Sequence, residues 1–204
     1  ITGTNGKTSA TFLLEAILTA AGRRVGVVGT VNYRVGGEIW PAAVTTPESL
    51  DLQRLLREMR RRGVSHVFLE VSSHALDLKR VDRARFSAGV FTNLSQDHLD
   101  YHRDLEGYFA AKSRLFLEIL PNGGGAPGLA VINLDDPRGR ELRHRVAVET
   151  ITYGCHPDSQ VRPLTYRYRR DGLEARLITP AGELSIDSRL VGPFNLSNIL
   201  AAVA

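Results

Sequence analysis

Cysteine is nearly missing from this 204-residue sequence, where Cys155 stands alone. An intrachain disulfide and a four-cysteine metal site are therefore excluded, and a reducing cytoplasm fits. Long apolar runs are missing too. No stretch offers the ~20 residues needed to cross a bilayer, and no signal-peptide pattern is visible. Charge of one sign is in little excess: 26 Lys and Arg face 22 Asp and Glu, a formal net charge of +4. That balance argues against nucleic-acid binding and suits an anionic small substrate. The clusters Arg60-Arg61-Arg62 and Arg167-Tyr168-Arg169-Arg170 read as helix ends or solvated strand faces. Internal repeats and low-complexity segments are absent. The chain is 43% apolar, enough for a core in one large domain, or one domain with an insertion.

What is present begins with a glycine-rich turn. Ile1-Thr2-Gly3-Thr4-Asn5-Gly6-Lys7-Thr8-Ser9 stands directly before the helical pattern Thr11-Phe12-Leu13-Leu14-Glu15-Ala16-Ile17. Gly3 and Gly6 leave room for a tight turn and an anion. Backbone N–H groups and the helix start can then face phosphate oxygens, with Lys7 on the outer phosphates and the Thr8 hydroxyl on Mg²⁺. The long form of this signature opens on a glycine where this chain has Ile1. A capped Gly-rich turn without a ligand is the competing reading. Lys7 and Thr8 directly ahead of a helix favour the phosphate. The strand expected to feed the loop lies ahead of Ile1.

Thr8 to Ala20 reads as the first helix and Val25 to Gly29 as a buried, parallel strand. Thr30 to Val44 is extended, with a turn at Gly36-Gly37. Thr46 is expected to cap, and Pro47 to start, a helix running through Leu52, Leu55, Leu56 and Met59 to Gly63. Val64 to Leu69 is a strand ending on Glu70, followed by Val71-Ser72-Ser73-His74. An acid at the carboxyl end of an apolar strand is where a nucleotide-binding α/β sheet puts a metal ligand or base. A solvated strand end is the plain alternative, and His74 suits capping or packing as well as catalysis. Phe86 to Phe91 leads to Thr92-Asn93-Leu94 and Asp97-His98-Leu99-Asp100. His98 could ligate Mg²⁺ or orient a phosphate, while Asp97 and Asp100 orient the imidazole or cap the next segment. Leu105 to Leu120 reads as a helix interrupted by Lys112, on its own a solvated surface lysine. A loop with Gly123-Gly124-Gly125 follows, then a strand from Leu129 to Leu134, a short helix from Arg138 to Arg145 and a strand from Val148 to Tyr153.

Strand and helix alternate to this point, which predicts an α/β fold: a mostly parallel sheet of P-loop type with helices on both faces. The texture then changes. Segments 164–170, 173–179 and 183–188 alternate across turns at Asp171-Gly172 and Ala181-Gly182, a small antiparallel meander. Val191-Gly192-Pro193-Phe194-Asn195 enters a final helix. The expected organisation is a parallel core over 1–160, the meander over 161–190 and the start of a closing helix over 191–204.

Taken together, the separate clusters resemble the central ATP-binding domain of the Mur ligases. The matching strings are Gly3-Thr4-Asn5-Gly6-Lys7-Thr8, Thr45-Thr46-Pro47, Glu70-Val71-Ser72-Ser73-His74-Ala75-Leu76, and Thr92-Asn93-Leu94 with Asp97-His98-Leu99-Asp100. Tyr108-Phe109, Ala111-Lys112-Ser113-Arg114-Leu115-Phe116, Asn133-Leu134-Asp135-Asp136 and Gly192-Pro193-Phe194-Asn195-Leu196-Ser197-Asn198 also fit. The short form of the phosphate loop is the form this family uses. The Glu-Val-Ser-Ser-His-Ala-Leu string is most similar to the branch that adds the third amino acid of the peptidoglycan stem.

The resemblance implies roles residue by residue. Gly3, Thr4, Asn5, Gly6, Lys7, Thr8 and Ser9 would hold ATP, with Asn195 on the base. Thr8, Glu70, His98 and Lys112 would serve two Mg²⁺ ions, Lys112 as a CO₂-derived carbamate. Lys7, Glu70, His98 and Lys112 would form the catalytic set. Thr45, Thr46, Ser72, His74 and Arg80 would lie around UDP-MurNAc-L-Ala-D-Glu. The implied reaction is ATP-dependent ligation of meso-diaminopimelate or L-lysine through an acyl phosphate, in a monomeric, cytoplasmic parent enzyme. That enzyme would carry an N-terminal UDP-binding domain and a C-terminal domain beyond this chain, which alone is expected to be folded but little active. Another ATP-dependent amide ligase, such as folylpolyglutamate synthetase, or a P-loop NTPase module are the rival readings.

Overall fold

A computed structural model of the chain describes residues 1–97, 99–122 and 126–204. Helix α1 (Lys7–Ala20) springs from the glycine-rich loop and is followed by β1 (Val25–Val28), a buried strand. β1 pairs antiparallel with β2 (Tyr33–Val35), which turns at Gly36-Gly37 into β3 (Glu38–Trp40). Helix α2 (Ser49–Arg61) carries the chain back so that β4 (His66–Leu69) lies parallel to β1. Next come α3 (Ser73–Asp77), β5 (Ala88–Phe91), α4 (Leu99–His102) and α5 (Leu105–Arg114). Then β6 (Leu129–Asn133), α6 (Pro137–Arg145) and β7 (Thr150–Tyr153) complete a parallel β5-β6-β7 sheet. The meander is β8 (Arg162–Arg169), β9 (Gly172–Thr179) and β10 (Gly182–Ser188), and α7 (Pro193–Val203) closes the chain.

Ile1 and Thr2 join the sheet of β1 and β4 to the sheet of β5, β6 and β7. On one side the Ile1 nitrogen donates to the Leu69 carbonyl at 2.8 Å, and Val71 N–H donates to the Ile1 carbonyl at 2.8 Å. On the other, Thr2 N–H donates to the Val90 carbonyl at 2.8 Å and Thr92 N–H to the Thr2 carbonyl at 3.0 Å. Ile1-Thr2 thus bridges β4 and β5 where the chain enters the loop.

Side-chain alternation splits the core between the two faces of the joined sheets. Phe91, Ala130 and Ile132 point into one cluster with Leu52 and Met59 of α2, Leu76 of α3, Phe109 of α5 and Leu142 of α6. Val90 and Val131 point into the other, with Ala10 of α1, Leu173 and Leu177 of β9, and Leu196, Ile199 and Leu200 of α7. Helices cover both faces, as the strand–helix alternation predicts.

Local chemistry sets the helix starts. Asp104 accepts from Gly107 N–H at 2.7 Å to cap α5. Asp136 accepts from Arg138 N–H at 2.8 Å, with Pro137 in the first turn of α6. Two expectations are corrected. Helix α2 starts at Ser49 with Glu48 at its N-cap, because the Thr46 hydroxyl is taken by the exit of β4. The helix expected through Leu120 leaves α-geometry after Arg114 and forms a π-helical turn at Leu115–Ile119. There Leu120 N–H reaches back to the Leu115 carbonyl at 2.9 Å, and Leu115, Phe116, Ile119 and Leu120 are all buried.

Candidate active site

The loop from Gly3 to Thr8 emerges between the exits of β4 and β5 because Ile1-Thr2 bridges those two strands. Gly6 is the N-cap of α1 at φ 86, with no side chain capping the helix. The first-turn N–H groups are left for an anion. Glycine suits this positive φ, and a Cβ on Gly6 would also press on Asn198 Oδ1 at 2.4 Å. The exit of β5 holds the loop from behind. Thr4 N–H donates to the Asn93 carbonyl at 2.9 Å, Asn5 N–H to Asn93 Oδ1 at 2.9 Å, and the Thr92 hydroxyl to the Asn5 carbonyl at 2.6 Å.

Two lysines meet on one carbonyl. Lys7 Nζ donates to Gly3 O at 2.8 Å and Thr4 O at 3.0 Å, and Lys112 Nζ donates to the same Gly3 O at 3.0 Å. Lys112 is 1% exposed, which corrects the reading of a solvated surface lysine. Its ammonium lies 4.4 Å from the Tyr108 ring centroid. Burial pushes the Lys112 pKa well below that of a free lysine, and the Lys7 charge acts in the same direction against Asp97. Burial also lowers Lys7, against the pull of Glu70 and Asp97.

Glu70 is 1% exposed at the exit of β4. Thr8 and Thr30 hydroxyls each donate to its Oε2 at 2.9 Å, and Thr30 N–H donates to its Oε1 at 3.2 Å. Gly29 makes this seat possible, since a Cβ there would lie 2.3 Å from Oε1. Among the described residues, no Lys, Arg or His nitrogen lies within 4.0 Å of the carboxylate. The Thr8 and Glu70 oxygens are hard donors that suit Mg²⁺. Among the described residues no three His, Cys, Asp or Glu groups cluster to hold a metal unaided. A Mg²⁺ ion here would draw further ligands from phosphates and water, as that ion commonly does. His98 lies outside the described residues.

The other strand-exit residues gather beside Glu70. Thr30 and Thr45 hydroxyls are 3.1 Å apart. The Thr46 hydroxyl donates to the Glu70 carbonyl at 2.8 Å and accepts from Ser72 N–H at 3.1 Å. The Ser72 hydroxyl accepts from Ala75 N–H at 3.1 Å and caps α3. Arg80 donates to the Thr46 carbonyl at 3.2 Å and pairs with Glu48 at 2.6 Å. The His74 ring stacks on Tyr101 at 4.0 Å between centroids and meets His102 edge-on at 5.4 Å, so packing occupies it.

On the far side of the loop lies a cleft of about 760 Å³, within the size range of small-molecule sites. Asn5, Ser9, Leu94, Asp136, Phe194 and Asn195 are among its walls. Phe194 is 85% exposed there. Asn195 Nδ2 donates to the Val191 carbonyl at 2.9 Å, and Asn198 Nδ2 to Asn195 Oδ1 at 3.3 Å. Asn5 and Gly6 of the loop line this cleft, while Lys7 and Lys112 meet on Gly3 O. Thr30 is the residue missed by reading the sequence. Its signal was a polar residue directly beyond an apolar strand and Gly29.

A mostly parallel layer with a phosphate-type loop between two strand exits and an acid at one of them defines a P-loop-type α/β domain. More narrowly, the chain belongs to the Mur ligase middle domain family, which it matches over residues 1–204. It is 52% identical over 205 residues to UDP-N-acetylmuramoyl-L-alanyl-D-glutamate–2,6-diaminopimelate ligase of Geobacter metallireducens, covering 100% of this chain and 40% of that protein. A solved structure of a ligase with the same name superposes with a TM-score of 0.85 at 31% identity, covering 98% of this chain and 41% of the other. A Mycobacterium tuberculosis folylpolyglutamate synthase, solved with ADP and AMPPCP, shares the fold at a TM-score of 0.68 and 21% identity, covering 98% and 52%. The chain spans about 40% of the length of the curated relatives it matches. No helix among the described residues is long and apolar enough to cross a membrane.

Proposed function

We propose that this chain is the central ATP-binding domain of a ligase that joins an amino acid to UDP-MurNAc-L-Ala-D-Glu in peptidoglycan precursor synthesis. The observation that carries the reading is the meeting of Lys7 and Lys112 on the Gly3 carbonyl, beside the buried Glu70 and its threonine hydroxyls. The names of relatives up to 52% identical support it and favour 2,6-diaminopimelate over L-lysine as the incoming amine. Flanking domains would hold the uridine part and select the amino acid. A nucleotide-linked substrate and the single cysteine suit a cytoplasmic enzyme.

A carboxylate is a poor acyl donor because its leaving group would be oxide. Attack by the D-Glu carboxylate on the ATP γ-phosphate releases ADP and forms an acyl phosphate. The amine then attacks the activated carbonyl, and phosphate leaves from a tetrahedral intermediate. No enzyme nucleophile is needed. The α1 N-terminus and the Gly3–Thr8 backbone cradle the phosphates, and Lys7 turns from its own loop carbonyls to the transferring group. Thr8, Glu70, His98 and Lys112 would serve Mg²⁺, which supplies charge neutralisation on phosphate oxygens when bound. The Thr8 hydroxyl proton is committed to Glu70, which leaves the oxygen lone pairs free to face an ion. Lys112 fits a CO₂-derived carbamate, because its lowered pKa favours the neutral amine that can add to CO₂. Ser9 and Asn195 line the nucleoside side, while Thr45, Thr46, Ser72, His74 and Arg80 stand on the acceptor side.

The test uses the full-length protein with ATP, Mg²⁺, bicarbonate and UDP-MurNAc-L-Ala-D-Glu. Phosphate release and peptide product are followed with meso-diaminopimelate, L-lysine or no amine. Amine-dependent phosphate release matched by a tripeptide product is expected. Phosphate release indifferent to both substrates would move the assignment to an NTPase.

A further inference from the structure

Thr30, just beyond β1, touches Glu70 twice and Thr45 once. Its N–H donates to Glu70 Oε1 at 3.2 Å, and its hydroxyl donates to Oε2 at 2.9 Å. A hydroxyl has one proton. With that proton on Glu70, the 3.1 Å contact with Thr45 must be one in which Thr45 donates and Thr30 accepts. The order of donation runs from Thr45 to Thr30 to Glu70. Thr8 donates to the same Oε2 at 2.9 Å.

We propose that Thr30 is a positioning residue: by clamping both oxygens of Glu70 it aims that carboxylate for a hard divalent cation at the phosphate loop. The physical case is one of freedom removed. A glutamate side chain at the end of a strand has several rotatable bonds, and holding it in one geometry loses entropy. Hydrogen bonds from a backbone N–H and a hydroxyl to a charged acceptor hold it in advance of binding. The strand exits of β1 and β4 are neighbours in the parallel register, Val28 opposite Leu69, so the clamp is built on rigid elements. The missing Cβ at Gly29 leaves the space the carboxylate fills. This inference rests on the cation-assisted nucleotide reading, though not on the identity of the acceptor substrate.

The test is Thr30→Val, which keeps shape and N–H but removes the hydroxyl, beside Thr30→Ser, which restores it. In the full-length protein, ATP binding is measured by calorimetry across a Mg²⁺ titration, and Mn²⁺ binding by electron paramagnetic resonance. Thermal unfolding without ligands checks that each variant is folded. With one hydrogen bond to the charged carboxylate lost, Thr30→Val should raise the half-saturating cation concentration roughly 10- to 100-fold. Cation-free ATP affinity should stay within about threefold, and Thr30→Ser should return the cation requirement to within about threefold of the parent. A folded Thr30→Val protein with an unchanged cation requirement overturns the proposal. So does a Thr30→Ser variant as impaired as Thr30→Val. ATP binding by the parent that ignores the cation would overturn both this inference and the nucleotide reading. A shifted cation requirement in a protein that makes no tripeptide would uphold Thr30 and remove only the ligase assignment.

Discussion

At the scale of single residues, Lys112 is the most informative side chain. A lysine 1% exposed, sharing a carbonyl with Lys7, is held far from its usual chemistry. Burial, then the Lys7 charge, lowers its pKa, so in the unmodified chain the unfolded state binds more protons than the folded one between the two values. Stability contributed through Lys112 therefore rises with pH and is lost as pH falls through the depressed folded value. Lys112→Met should flatten that dependence, read as denaturation midpoints across pH. The neutral amine is also the form that adds CO₂. Ligation by the full-length protein should fall in CO₂-depleted buffer and recover with bicarbonate. Lys112→Met should lose roughly 100-fold or more of the activity, with no recovery. A ¹³C resonance from labelled bicarbonate, present in the parent and missing in Lys112→Met, would identify the adduct directly.

At the scale of elements, the decisive unit is the loop and first turn of α1. Its geometry is set by neighbours on both sides: Thr92 and Asn93 at the exit of β5, and Asn198 on α7. Gly6→Ala would place a Cβ at φ 86 and 2.4 Å from Asn198 Oδ1. The left-handed backbone costs a side-chain-bearing residue about 1–3 kcal/mol, and relief of the clash must displace the Asn198 side chain that lies against the loop. Urea unfolding should register that loss, and ATP affinity should fall with it, because the proposed phosphate cradle uses the same N–H groups. The element also explains how well this part reads from sequence. Gly-x-x-Gly-Lys-Thr before a helical pattern is a local signal, with every part within one turn and one helix start. Thr46 shows the opposite case. Thr-Pro reads locally as a cap, yet the hydroxyl is drawn to the Glu70 carbonyl across 24 positions in the chain.

At the scale of the whole molecule, Ile1-Thr2 is the seam between the β3-β2-β1-β4 and β5-β6-β7 sheets. Thr2→Pro would remove the N–H that donates to Val90 and leave a buried carbonyl unsatisfied. A loss of about 1–3 kcal/mol in urea unfolding is expected. Ligand-independent loosening should then appear as faster hydrogen exchange in β4 and β5 together, since both rest on the seam. The seam also places the candidate site, because it delivers the glycine-rich loop between the exits of β4 and β5, beside Glu70 and Thr92-Asn93.

The α/β class, the meander, the glycine-rich loop and the strand exits at which polar residues cluster are legible in the amino-acid order alone. Those features follow from periodicity, turn chemistry and short motifs, which act over a few residues. Long-range packing buries Lys112 on Gly3, 109 positions away, and brings Thr30 against Glu70, 40 positions away. A helix pattern does not say which neighbours will cover a lysine. A strand pattern does not say which strand will pair beside it. Parallel pairing brings the exits of distant strands to one edge, and there the local signals become a site.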